Sequence, residues 1–177
     1  SFNLSAKSLK SFEEIPEIFH EIISKHASEI TRYLGNDYLY ERPIAFRNFN
    51  MPNDLLNYDV YSNIWHQDSH DGNRLLKIFL LPHDVKNSDG PFHYLDEACV
   101  RKHWTLLRER WDWGKMKEIP RFEEENILTG FKGDYLVIDT SRCTHRASIP
   151  ENYRDILQIT LYPSWRKTDD RKLYSNL

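Results

Sequence analysis

The stretch Trp65-His66-Gln67-Asp68 sets an imidazole and a carboxylate two residues apart. On an extended strand, residues i and i+2 project to the same face, so His66 and Asp68 are expected side by side. Those donors make up two-thirds of a 2-His-1-carboxylate facial triad, a site that binds Fe(II) and leaves coordination positions open. A His-x-Asp triplet alone is common on surfaces, so a third ligand must come from a distant strand. His145 is the best placed: it follows an apolar run at 135–138 and precedes another at 156–162, which puts it at a sheet rim. Arg154 comes nine residues later, at the start of that last run. A guanidinium there can clamp a carboxylate through two parallel hydrogen bonds, as a dicarboxylic cosubstrate requires. The bland alternatives are turn-satisfying polar residues and an ordinary ion pair of Arg154 with Asp155 or Glu151.

Other reactive side chains fit less well. His70 lies four after His66, a helical ligand spacing, but Gly72 and Asn73 mark a turn. His83, His93 and His103 read as surface or core hydrogen-bonders, and Cys143 as a buried free thiol. Trp104, Trp111 and Trp113 read as a packing cluster on or beyond an inserted helix. That segment mixes basic and aromatic residues, yet the formal net charge of −3 gives no overall field toward nucleic acid.

The elements that would carry these residues follow from periodicity. Ile15, Ile18, Phe19, Ile22, Ile23 and Ile30 recur at helical spacing, which predicts one amphipathic helix over about 12–34, with Pro16 tolerated early and Gly35 as its stop. Beyond it, short aromatic or β-branched runs at 38–40, 44–49, 60–65, 75–81, 127–131, 135–138 and 156–162 alternate with turn formers. Gly130 and Gly133 bracket an expected hairpin turn. A second helix is expected from Asp96, its N-cap, to Arg110. This order predicts an α+β, mainly β chain: a jelly roll with an N-terminal helix and one inserted helix. One domain spans 1–177, with its core at about 38–163.

An aromatic content of 14% excludes disorder and suits strands. Two cysteines are too few for a disulfide scaffold and point to a reducing cytoplasm. No run reaches the roughly 18 apolar residues of a membrane span, and the N-terminal stretch lacks the apolar core of a signal peptide.

WHQD (65–68), LLKIFLLPHDVKNSDGPFHYL (75–95) and GDYLVIDTSRCTHRASIPENYRDILQITLYP (133–163) together resemble the phytanoyl-CoA dioxygenase (PhyH-like) family of Fe(II)- and 2-oxoglutarate-dependent oxygenases. The resemblance implies a double-stranded β-helix with His66, Asp68 and His145 as catalytic iron ligands. It also implies Arg154 on the distal carboxylate of 2-oxoglutarate and Phe79 beside that cosubstrate. Lys77, two residues back on the same strand, shares the face of Phe79; if that face is inward, it is a second carboxylate anchor or a substrate contact. Ser148 and Thr144 are the candidates for a hydroxyl contact to the cosubstrate. The implied reaction consumes O₂ and 2-oxoglutarate, releases succinate and CO₂, and hydroxylates a small-molecule substrate. Asp68 favours hydroxylation, because halogenating relatives carry a small residue there. Relatives are commonly longer, so an open pocket, or one completed by another subunit, is expected.

Arg74, Arg142, Arg146 and Lys77 near the expected mouth suggest an anionic substrate. Two rival readings stand beside the oxygenase: a non-catalytic jelly-roll binding module, and a cupin-type metal enzyme that does not use 2-oxoglutarate. A full ligand set argues against the first, and Arg154 discriminates against the second.

Overall fold

The computed structural model describes residues 6–11, 14–50, 63, 65–68, 74–102, 124–164 and 172–174; for 6–11 and 172–174 it describes the backbone. The expected strand at 60–65, most of the inserted helix, His70, His103 and the three tryptophans above lie largely or wholly outside these residues.

The spine of the fold is β9 (Tyr153–Pro163), an eleven-residue strand. Its first half pairs antiparallel with β3 (Ile44–Phe49) and its end, on the same side, with β2 (Tyr38–Tyr40). On its other side runs β4 (Leu76–Leu80), which in turn pairs with β7 (Tyr135–Ile138). Strands β1 (Ala6–Ser11) and β10 (Lys172–Tyr174) extend the sheet beyond β3 and β2, giving seven strands. A smaller sheet has the order β6 (Asn126–Leu128), β5 (Phe92–Tyr94), β8 (His145–Ala147).

Strand alternation builds the layers. From β4 and β9, Ile78, Leu80, Ile159 and Leu161 face α1 (Glu17–Lys25) and α2 (Ala27–Leu34), where they pack on Phe19, Ile23 and Ile30. The alternate residues Phe79 and Ile156 face the small sheet and meet Phe92 and Ile138. These antiparallel sheets enclosing an aromatic interior form a double-stranded β-helix, the expected fold. A third helix, α3 (Glu97–Lys102), buries Cys99 and Val100 against Trp65 and Leu95. Asp96 accepts from the Cys99 N–H at 2.7 Å, the expected N-cap role.

Two expectations need correction. The N-terminal helix starts only after Pro16, and it breaks at His26 (φ −108°, ψ 18°), whose Nε2 bonds the Tyr135 hydroxyl at 2.9 Å. Gly35, at φ 104°, ends it as expected. The Gly130–Gly133 segment makes no hairpin: β6 belongs to the small sheet and β7 to the large one, so the turn carries the chain between layers.

Candidate metal centre

His66 and His145 meet through their backbones. Each donates its N–H to the other's carbonyl oxygen at 2.8 Å, an isolated antiparallel bridge at the free edge of β8. Their rings are therefore side by side, with centroids 4.2 Å apart. Asp68 donates its N–H to the Thr140 carbonyl at 3.0 Å, and Gln67 donates to the Arg142 carbonyl at 3.0 Å. The His-Gln-Asp segment is thus tied along the connection between β7 and β8. The Asp68 carboxylate reaches 3.9 Å from His66 Nε2 through Oδ1 and 3.5 Å from His145 Nε2 through Oδ2. One donor atom from each of the three residues lies within 4.8 Å of the others.

The chemistry of this donor set fits a divalent cation. His145 Nδ1 lies 3.0 Å from the Cys143 carbonyl, which can only accept, so Nδ1 carries the proton and Nε2 keeps its lone pair. Burial and the neighbouring His66 push the His145 pKa down to about 3, leaving a neutral imidazole at pH 7. Burial alone would raise the Asp68 pKa; the Lys77 ammonium, 2.8 Å from Oδ2, together with His145 and a hydrogen bond from Thr140 outweighs it and holds the group as a carboxylate. Two imidazoles and one carboxylate are what a facial triad offers.

The remaining candidate residues occupy the interior face. Phe79 and Lys77 share it, as the period of two requires. Phe92 bridges Phe79 and His145, with centroids 4.6 and 5.2 Å away. Arg154 is 2% exposed and donates Nη1–H to the Gly90 carbonyl at 2.6 Å. Burial pushes its guanidinium down to about 10, and Nε has no partner. Among the described residues no acid pairs with it. Asp155 projects to the opposite face, held twice by Arg47 at 2.6 and 2.7 Å. A buried guanidinium without a carboxylate fits a site for a carboxylate ligand.

Several expected contacts go elsewhere. Ser148 Oγ is engaged by the Pro91 carbonyl and His93 Nε2, at 2.9 and 2.8 Å, and Thr144 is buried. Arg146 alternates away from inward-facing His145 and Ala147 and pairs with Glu125 at 3.0 Å. Arg142 lies 3.5 Å from Glu97, and Arg74 donates to the Tyr33 carbonyl at 3.1 Å. These arginines are engaged within the chain, and Lys77 likewise pairs with Asp68 at 2.8 Å. His93 bonds Glu125 and Ser148, a hydrogen-bonder as expected. Cys143 is a free thiol, half-buried, with its pKa pushed up to about 12, first by burial and then by Asp139. A cleft of about 890 Å³ lies beside α1 and α2, lined in part by His26, Tyr33, Leu128 and Tyr135; no triad residue lines it.

Two positioning residues escape the sequence reading. Asp139 caps the turn after β7: its carboxylate accepts the Ser141 N–H at 2.7 Å and its carbonyl the Cys143 N–H at 2.8 Å. The Asp-Thr-Ser triplet, with its turn-forming side chains, was the available signal. Gly90, at φ 69°, has no room for a Cβ, which would stand 2.4 Å from Pro150 N. It ends the KNSDGP turn, where the sequence marks a turn but not the close crossing.

No protein-family model matches the chain, and comparison with curated proteins finds no match. Among solved structures, the chain is similar to HygX from Streptomyces hygroscopicus with nickel and 2-oxoglutarate bound: TM-score 0.59, 15% identity, covering 92% of this chain and 71% of HygX. HygX with nickel, 2-oxoglutarate and hygromycin B bound gives TM-score 0.59 at 16% identity, covering 92% and 70%. The iron-bound form gives 0.52 at 17%, covering 83% and 68%. The likeness shows a shared jelly-roll fold.

Proposed function

We propose that this chain is an Fe(II)- and 2-oxoglutarate-dependent dioxygenase, similar to the phytanoyl-CoA dioxygenase family, that hydroxylates a small molecule. The observation that carries the reading is Arg154: a buried guanidinium with one carbonyl partner and no described acid, in the same interior as a convergent His66–Asp68–His145 cluster. The HygX structures with iron, nickel, 2-oxoglutarate and hygromycin B support both the cosubstrate and a small-molecule substrate. Two free cysteines support a reducing, cytoplasmic setting. No helix among the described residues is long and apolar enough to cross a membrane.

In this reading His66, Asp68 and His145 hold the iron and Arg154 receives the distal carboxylate of 2-oxoglutarate. Phe79 and Phe92 wall the site and keep water from it. When bound, iron and 2-oxoglutarate supply the oxidising power, with O₂ consumed, succinate and CO₂ released, and one oxygen atom delivered to a substrate C–H bond. The chain's own part is positional. The paired backbones of His66 and His145 hold two ligands in place, Cys143 sets the tautomer of His145, and Gly90 aims Arg154.

Anaerobic titration of the protein with Fe(II) and then 2-oxoglutarate tests this through the visible charge-transfer band of the chelate. The band is expected in the wild type and absent or weakened in His66→Ala and Arg154→Ala. Iron binding without a band would instead indicate a metal enzyme that does not use 2-oxoglutarate; no metal binding would indicate a binding module.

A further inference from the structure

Lys77 stands where a metal's charge would act. Its Nζ lies 2.8 Å from Asp68 Oδ2, the same oxygen that approaches His145 Nε2 to 3.5 Å. The contact is sheltered, with side-chain exposures of 17% for Lys77 and 20% for Asp68. Register places the lysine there: Lys77 pairs with Thr160 on β9 and Ile138 on β7, one residue out of phase with the helix-facing Leu76 and Ile78. Its ammonium therefore enters the interior, 6.0 Å from the Phe79 ring centroid.

A sheltered carboxylate is costly unless a cation compensates it. Lys77 does so in the protein without metal. A dication bound by the two imidazoles and Asp68 would sit within a few ångströms of this ammonium, and like charges at that range repel even at high effective dielectric. Both cations cannot be held at full strength by one carboxylate.

Resting on the reading of His66, Asp68 and His145 as a metal site, we propose that Lys77 is a stand-in cation. It holds the Asp68 carboxylate in place before metal loads, competes with the metal for Oδ2, and must leave that oxygen on loading. Lys77 thereby sets the metal affinity of the site. It stabilises the unloaded protein and weakens the hold on any ion too feeble to displace it.

The experiment uses the full chain stripped with chelator: wild type, Lys77→Met, Lys77→Arg and His66→Ala. Each is titrated calorimetrically with Mn(II) and melted with and without it. Lys77→Met is expected to bind Mn(II) roughly tenfold or more tightly than wild type, within the range by which partners outside the ligand shell change metal affinity. Its unloaded form should melt lower than wild type, and Mn(II) should raise its Tm by more. Lys77→Arg should stay near wild type. Should the methionine variant fail to fold, Lys77→Gln, which keeps a hydrogen-bond donor without the charge, takes its place. Mn(II) binding equal to or weaker than wild type in the uncharged variant overturns the proposal while leaving the metal site intact. A wild type that binds no better than His66→Ala removes the metal site, and the proposal with it.

Discussion

His66 and His145 exchange both backbone hydrogen bonds, each at 2.8 Å, so the spacing of their imidazoles is set by main chain rather than by rotamer choice. The facing carboxylate of Asp68 comes from the same segment, through the Thr140 anchor. Preorganisation of this kind makes each ligand separately removable. Alanine at His66, Asp68 or His145 is expected to weaken Mn(II) binding about 100-fold or more, beyond what loss of an outer partner costs. Far-ultraviolet circular dichroism should remain that of the wild type. Calorimetric titration checks the first statement, and an unchanged affinity in any one variant would remove that residue from the ligand set.

Arg154 is expected to be a functional residue maintained against stability. Its folded pKa, lowered from 12.5 to about 10, means that the native state disfavours the charged form. At pH 7 the buried charge therefore costs stability. Arg154→Met should leave Tm unchanged or raise it by a few degrees, since replacing buried charge by apolar bulk is often neutral or stabilising by about 1–4 kcal/mol. The same change should abolish protection by 2-oxoglutarate in a thermal melt. A fall of many degrees would mark the guanidinium as structural.

Gly90→Ala should damage both stability and cosubstrate binding. The added Cβ meets the backbone at Pro150 and Ser148, and the φ of 69° is strained for any side chain. A loss of roughly 1–3 kcal/mol is expected from urea unfolding. Because the Gly90 carbonyl accepts from Arg154, 2-oxoglutarate affinity should fall as well. Intact stability would show that the loop at 148–150 yields easily.

Cys143 should be nearly inert. With its pKa raised from 9.0 to about 12 by burial, only a trace of thiolate is present at pH 8. Iodoacetamide should alkylate it on the order of 10³-fold more slowly than an unperturbed cysteine, which titrates near 8.5. The rate should climb about tenfold per pH unit toward 12, as the thiolate fraction does. The folded state prefers the neutral thiol, so this group's contribution to stability is present below pH 9 and lost as pH rises from 9 toward 12. Mass spectrometry of timed quenches gives the rate, and fast labelling at pH 8 would contradict the burial.

What the sequence determined by itself is the inventory and its order. His66, Asp68, His145 and Arg154 could be named because their chemistry is local and their spacing follows the period of a strand. The alternation of β9 and the Gly35 stop were legible for the same reason. The three-residue strands β5 (Phe-His-Tyr) and β8 (His-Arg-Ala) are interrupted by polar side chains, unlike the Tyr-Leu-Tyr of β2, so they passed unseen, although β8 carries His145. A helical stripe runs through His26 without a mark, because the break there is made with Tyr135, a residue of the opposing sheet. Tertiary structure alone decided pairing. Which face of β4 turned inward, and hence that Lys77 meets Asp68, depends on β4 locking between β9 and β7. That no described acid pairs with Arg154 follows in part from Asp155 meeting Arg47 on the other face. Charge and donor type are properties of single residues; compensation of charge is a property of pairs that only the folded chain brings together.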